Sequence, residues 1–123
     1  MNQNDLTHEI LDSAYKVHSA LGPGLLESAY QTCLIHELNK KGLETIAEQP
    51  VPIVYDDIKL DCGYRLDILV ENTVIIELKT VEAFTDVHTA QILTYLKFSI
   101  KHVGLLINFN VKSLKNGIRR FVL

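Results

Sequence analysis

The chain has 123 residues, 47% hydrophobic and 22% charged, with a net charge of −3 at pH 7. That balance fits one compact domain over residues 1–123 with a single core, and it excludes a bilayer-spanning protein because no apolar run is long enough. The polar opening MNQNDLTHEI lacks the pattern of a secretory leader, so a cytoplasmic protein is expected; Cys33 and Cys62, without a CxxC or Cys/His cluster, suggest core or near-core thiols and no zinc site or disulfide framework.

Leu6, Ile10, Ala14, Val17 and Leu21 recur at helical spacing, with Asn4 or Asp5 as N-cap, and predict a first helix ending at Gly22-Pro23-Gly24. His18 lies on its inner line, where a hydrogen-bonded core residue is expected. Leu26, Tyr30, Cys33, Leu34 and Leu38 repeat the pattern up to Lys40, Lys41 and Gly42, a cationic last turn and a glycine stop that close a second helix.

From Leu43 the character is β. Pro50 and Pro52 in EQPVPIVY remove backbone donors, so this strand belongs at an edge or is interrupted there. YDDI makes a turn. IKLDCGYRLDILV and TVIIELKT follow as strands, Gly63 marking a bulge or a close backbone approach. Thr85 or Asp86 opens a third helix, with Thr89, Ile92, Leu93, Leu96 and Ile100 on one side and His88, Gln91 and Tyr95 on another. HVGLLINFN has the pattern of a strand buried on both faces, and IRRFVL pairs beside it. Two helices, a three-stranded antiparallel run, a crossover helix and a buried parallel strand make a mixed α/β sheet.

Charge is uneven along this order. Residues 87–123 contain six cations and no acid, which leaves the first 86 residues at −9 against the total of −3. An acidic pocket and a basic surface can therefore coexist. Lys112, Lys115, Arg119 and Arg120 are the candidates for holding a nucleic-acid backbone; ordinary solvated charges account for them equally well.

Within GYRLDILVENTVIIELKT, register decides where the charges fall. A two-residue loop mixes charged and apolar residues on both faces. A three-residue loop, Glu71 to Thr73, pairs Val70 with Val74, Ile68 with Ile76 and Leu66 with Leu78 on one apolar face. The other face then sets Asp67 opposite Glu77, and two facing carboxylates repel. Either a diagonal ion ladder, Asp67 with Lys79 and Arg65 with Glu77, offsets them, or a divalent cation does, since carboxylates supply hard oxygen ligands. Glu27 falls beside the apolar stripe of the second helix and is positioned to bring a third carboxylate to the sheet, besides favouring that helix's N-terminus.

These blocks resemble a known family. LGPGLLESAY, with Gly24, Glu27 and Tyr30, matches the signature of the prokaryotic GxxExxY proteins, and CGYRLDILV, IELKT, TAQILTYLK and GLLINFN resemble its later blocks. That family is grouped with the PD-(D/E)XK nuclease-like superfamily. The resemblance implies a restriction-endonuclease-like fold, a mixed sheet with two N-terminal helices and a crossover helix. It also implies roles: Asp67 as central metal ligand, Glu77 as the second, the Leu78 carbonyl as a third, and Glu27 as the acid from the preceding helix. Lys79 would position or activate water and offset charge on phosphate, and Gln91 matches the polar residue of the following helix. Leu66 stands where the superfamily often has proline, a variable position.

The reading is then a nuclease that uses Mg²⁺ or Mn²⁺ on DNA or RNA. The competing reading is a non-catalytic binding or regulatory module on the same scaffold, since a fold does not dictate function. A homodimer would enlarge the small surface available to a substrate. Tyr30 is read as a packing residue, with stacking on a base as the alternative.

Overall fold

The computed structural model describes residues 1–60 and 63–123. Cys62 lies outside them, while Cys33 is partly buried against the core. The chain opens with α1 (Gln3–Leu21) and α2 (Glu27–Lys40), each placing its apolar stripe inward. Asn2 caps α1 in place of Asn4 or Asp5: its Oδ1 accepts from the Asp5 N–H at 2.8 Å, three residues on, as an N-cap side chain must.

The Gly22-Pro23-Gly24 link is held from inside by Tyr30. Its hydroxyl donates to the Gly22 carbonyl at 2.5 Å and accepts from the Leu25 N–H at 3.1 Å. Its ring stacks on Phe109 at 4.5 Å and is fully buried, so packing, and not a base, occupies it. One side chain thus fixes where α2 begins, and Glu27 is the first residue of α2. His18 is likewise a core residue: Nε2 lies 2.7 Å from the Val111 carbonyl, which only accepts, so that nitrogen carries the proton.

Among the described residues seven strands and one more helix follow: β1 (Thr45–Pro50), β2 (Val54–Tyr55), β3 (Ile58–Lys59), β4 (Arg65–Val70), β5 (Val74–Lys79), α3 (Asp86–Ser99), β6 (Val103–Asn108) and, after a 3₁₀ turn at Leu114–Gly117, β7 (Ile118–Val122). The main sheet is five-stranded in the order β1-β4-β5-β6-β7, and only β5 and β6 run parallel, joined by the α3 crossover. As the prolines require, β1 is an edge strand that stops at Pro50.

IKLDCGYRLDILV is not one strand. Ile58–Lys59 turns back through Asp56-Asp57 to pair with β2 in a separate small hairpin, and the sheet strand begins only at Arg65. Gly63 has φ 83 with nothing within 4 Å of a Cβ position, so its left-handed backbone calls for glycine and no close approach does.

Helices α1 and α2 cover one face of the sheet and α3 the other, giving two apolar clusters where a single core was expected. A sheet of this kind has two apolar faces and must bury both. Every residue of β6 is buried, and Gly104 lets α3 close down, since a Cβ there would stand 2.9 Å from Ile92 Cδ1. Ile100 is not on the inner face: it ends α3 in the left-handed region at φ 54 and is 79% exposed. Among the described residues no helix is long and apolar enough to cross a membrane.

Tyr30→Phe keeps the stacking on Phe109 and removes both hydrogen bonds to the link. It is expected to lower unfolding free energy by about 1–3 kcal/mol, read from urea denaturation; an unchanged midpoint would show that the link is held by something else.

Candidate active site

The β4–β5 hairpin has the three-residue loop, with Glu71 and Asn72 in the left-handed region at φ 50 and 51. Val70 faces Val74, Leu69 faces Ile75 and Ile68 faces Ile76. There the ladder stops. Leu66 and Leu78 do not pair: Leu78 packs under α1 and α2, whereas Leu66 joins the cluster under α3.

Where the strands part, side chains replace main-chain acceptors. The Asp67 N–H donates to Glu77 Oε2 and the Leu78 N–H to Asp67 Oδ2, both at 2.7 Å. Two donors that the parting would orphan are thereby satisfied. Among the described residues no hydrogen bond reaches the other oxygen of either carboxylate. In a strand the N–H and C=O of one residue point to the same side, so the Leu78 carbonyl faces this gap too.

The ion ladder does not form. The ion pairs among the described residues, Lys16 and Lys40 with Glu37 and Lys41 with Glu9 and Asp12, lie on or just after α1 and α2. Lys79 turns instead to α3, its Nζ donating to Gln91 Oε1 at 3.2 Å while Gln91 Nε2 donates to the Tyr95 hydroxyl at 3.3 Å. Beyond Lys79 the chain is fastened by Asn108, whose buried amide accepts from the Val81 N–H at 3.1 Å and donates to the Val81 carbonyl at 2.8 Å.

From the other side, α2 brings Glu27, half-buried, and one turn later Gln31. Gln31 Nε2 donates to the Asp67 carbonyl and to Glu48 Oε1, each at 2.9 Å. Glu48 sits in β1 opposite Asp67, is skipped by the β1–β4 ladder and lies at φ 57.

Four carboxylates thus influence one another with Lys79 as the cation among them. Burial, then the charge of Asp67, pushes the Glu77 carboxyl up to about 8; Glu77 is 3% exposed. Burial raises Asp67 as well, against the Leu78 N–H that lowers it, and burial followed by Asp67 raises Glu27. Among the described residues no three His, Cys, Asp or Glu side chains are grouped to hold a metal ion, so Glu27 stands as a neighbour of the acid pair. The donor set nonetheless suits a hard divalent ion: two carboxylates, each with one oxygen free of hydrogen bonds, and a carbonyl facing one gap.

The C-terminal cations do not stand together. Strand alternation sends Arg119 to the α3 side, 5.5 Å over the Phe84 ring, and Arg120 to the α1 side, where it donates to Asn4 Oδ1 at 3.1 Å. Lys112 and Lys115 are exposed around the 3₁₀ turn, and His88 caps α3 by accepting from the Thr85 N–H at 3.1 Å. Sequence reasoning missed Gln31, Glu48 and Asn108. Gln31 was accessible as the residue one helical turn after Glu27, and Asn108 as a polar residue inside an apolar run. Nothing local marks Glu48.

A family model described as PD-(D/E)XK nuclease superfamily matches residues 4–121. The GxxExxY blocks are consistent with that match. No curated protein and no solved structure matches the chain.

The raised carboxyls set a pH dependence. A carboxyl whose folded pKa lies above its unfolded value binds its proton more tightly when folded, so its contribution to stability is greatest below the ordinary range and is lost as pH rises through the folded value. Metal-free protein is therefore expected to lose stability between about pH 4.5 and about pH 8, and Glu77→Gln to flatten that slope while its amide oxygen still accepts from Asp67. Denaturant midpoints across this range check it; a wild-type midpoint that rises toward pH 8 would contradict it.

Proposed function

The chain belongs to the PD-(D/E)XK nuclease superfamily, and on that premise we propose that it is a divalent-metal-dependent nuclease hydrolysing phosphodiester bonds of nucleic acid. The observation that carries this reading is the gap between β4 and β5. It collects Asp67, Glu77 and the Leu78 carbonyl beside Lys79. An ordinary sheet would fill it with a main-chain ladder; here it is kept open at the cost of burying carboxylates.

Asp67, Glu77 and the Leu78 carbonyl would hold the ion, and Mg²⁺ and Mn²⁺ both suit such oxygens. When bound, the ion supplies positive charge that favours a hydroxide-like nucleophile and offsets charge on the phosphate. Lys79 orients the attacking water and neutralises charge developing on the non-bridging oxygens. Water oxygen bonds to phosphorus as the P–O bond to the leaving group breaks, and the leaving oxygen takes up a proton. Gln91 holds the Lys79 ammonium toward this point, since its own amide is fixed at the other end by Tyr95. Glu27 adds a carboxylate from α2. Lys112, Lys115, Arg119 and Arg120 supply charge for the nucleic-acid backbone outside the gap.

The dispersal of those cations favours a second reading, a non-catalytic binding or regulatory module that keeps the scaffold. Two substitutions separate the readings. Mn²⁺ titration by calorimetry is expected to show binding that Asp67→Asn abolishes. Lys79→Ala is expected to retain Mn²⁺ and to lower cleavage of labelled DNA or RNA by roughly 10²–10⁴-fold. Absence of Mn²⁺ binding, with and without nucleic acid, would move the conclusion to the module.

A further inference from the structure

On the α3 side, a groove leads away from the gap. Its near part is a cavity of about 310 Å³ bounded by Gln91 and Tyr95, which hold Lys79, and by Tyr64 from the segment entering β4. Its far part is a cavity of about 530 Å³ reaching Lys59 and Lys101. Ile53 and Leu60 line both, so the two cavities adjoin across these side chains next to the β2–β3 hairpin, and we call the pair the channel. The Leu60 N–H extends the hairpin's own ladder by donating to the Ile53 carbonyl at 2.8 Å, and the Val51 N–H closes the hairpin's base by donating to the Tyr64 carbonyl at 2.9 Å.

The chemistry along this channel is ordered. Next to Gln91 the walls are aromatic and aliphatic, and Tyr64 is 42% exposed, a ring face available to a flat partner. The far cavity is lined by Lys59, by Lys101, whose ammonium donates to Asn72 Oδ1 at 3.0 Å, and by Ser99, whose Oγ is buried with no hydrogen-bond partner among the described residues. Val87, which lines the near cavity, is an exposed apolar side chain, and among the described residues no Lys or Arg lines that cavity. A duplex offers such a surface little, because its bases are stacked inward and its phosphates seek cations. The acidic tip of the hairpin, Asp56-Asp57, also repels a second phosphate strand lying across it. Unpaired nucleotides fit both halves: bases stack on aromatic side chains, and a phosphate meets the lysines.

We propose that this channel binds the single-stranded nucleotides flanking the scissile phosphate, with a base against Tyr64 beside Gln91 and a phosphate farther on at Lys59 and Lys101. The substrate is then single-stranded nucleic acid or the unpaired end of a duplex. The inference rests on reading the gap as a nuclease site, and its test is a binding measurement that does not depend on turnover.

The Lys79→Ala chain, with Mg²⁺, is titrated into fluorescently labelled 12-nucleotide single strands and duplexes of the same sequence, both checked on gels to be intact. Anisotropy is expected to show single strands bound at least roughly 10-fold more tightly. Tyr64→Ala is expected to weaken single-strand binding roughly 5–100-fold, with Tyr64→Phe restoring it; Lys59→Glu is expected to weaken it further and to reduce its salt dependence. Equal or tighter duplex binding, indifference to Tyr64→Ala, or binding to neither form each overturns the proposal. Cleavage of duplex by the wild-type chain in that case leaves the nuclease reading standing, whereas strand-selective binding without wild-type cleavage of either form removes the nuclease reading and keeps the channel.

Discussion

Two main-chain amides in the middle of the sheet, those of Asp67 and Leu78, bond to carboxylates instead of to the opposite strand, and the site depends on this exchange. Strands cannot separate inside a protein unless the donors they release find other acceptors. Asp67 and Glu77 provide them reciprocally, so one oxygen of each carboxylate is engaged in structure and, among the described residues, the other carries no hydrogen bond. The arrangement carries an electrostatic cost, because like charges are brought together under burial, and the upward displacement of all three raised carboxyls is that cost expressed as proton affinity.

Everything around the gap fixes it from a different element. Tyr30 sets the start of α2 and hence the location of Glu27; Gln31 bridges α2 to Asp67 and Glu48; Gln91 and Tyr95 bring α3 to Lys79; Asn108 anchors the chain leaving β5. The polar network thus reaches the gap from both helical layers, Gln31 from one and Gln91 with Tyr95 from the other, and the main chain from Leu78 to Lys79 joins the two halves. Its members are fixed by hydrogen bonds to backbone and neighbouring side chains, the condition for holding reactive groups in a single geometry.

Much of this was legible in the sequence, for identifiable reasons. Helical spacing in α1 and α2, the proline-marked edge, the wholly apolar β6 and the three-residue hairpin loop each follow from a local pattern that tertiary structure had no reason to override. The failures have a common physical origin. Register reasoning carried the β4–β5 pairing through to Leu66 and Leu78, because alternation assumes that a ladder continues, and nothing in a residue's type announces that a side chain will take the place of a carbonyl. The left-handed backbone of Glu48 is invisible for the same reason. Arg119 and Arg120 show the opposite case: their separation to two faces follows from strand alternation alone, yet their adjacency in sequence suggests a joint patch.

The edges of the sheet also bear on how copies of the chain meet. An open strand invites another of its kind to extend the ladder indefinitely. Here β1 ends in Pro50, which has no hydrogen to donate, and departs from extended geometry at Glu48, while β7 presents adjacent arginines that would confront their counterparts in a self-paired neighbour. Both margins thus disfavour the open-ended strand pairing by which sheets grow into fibres.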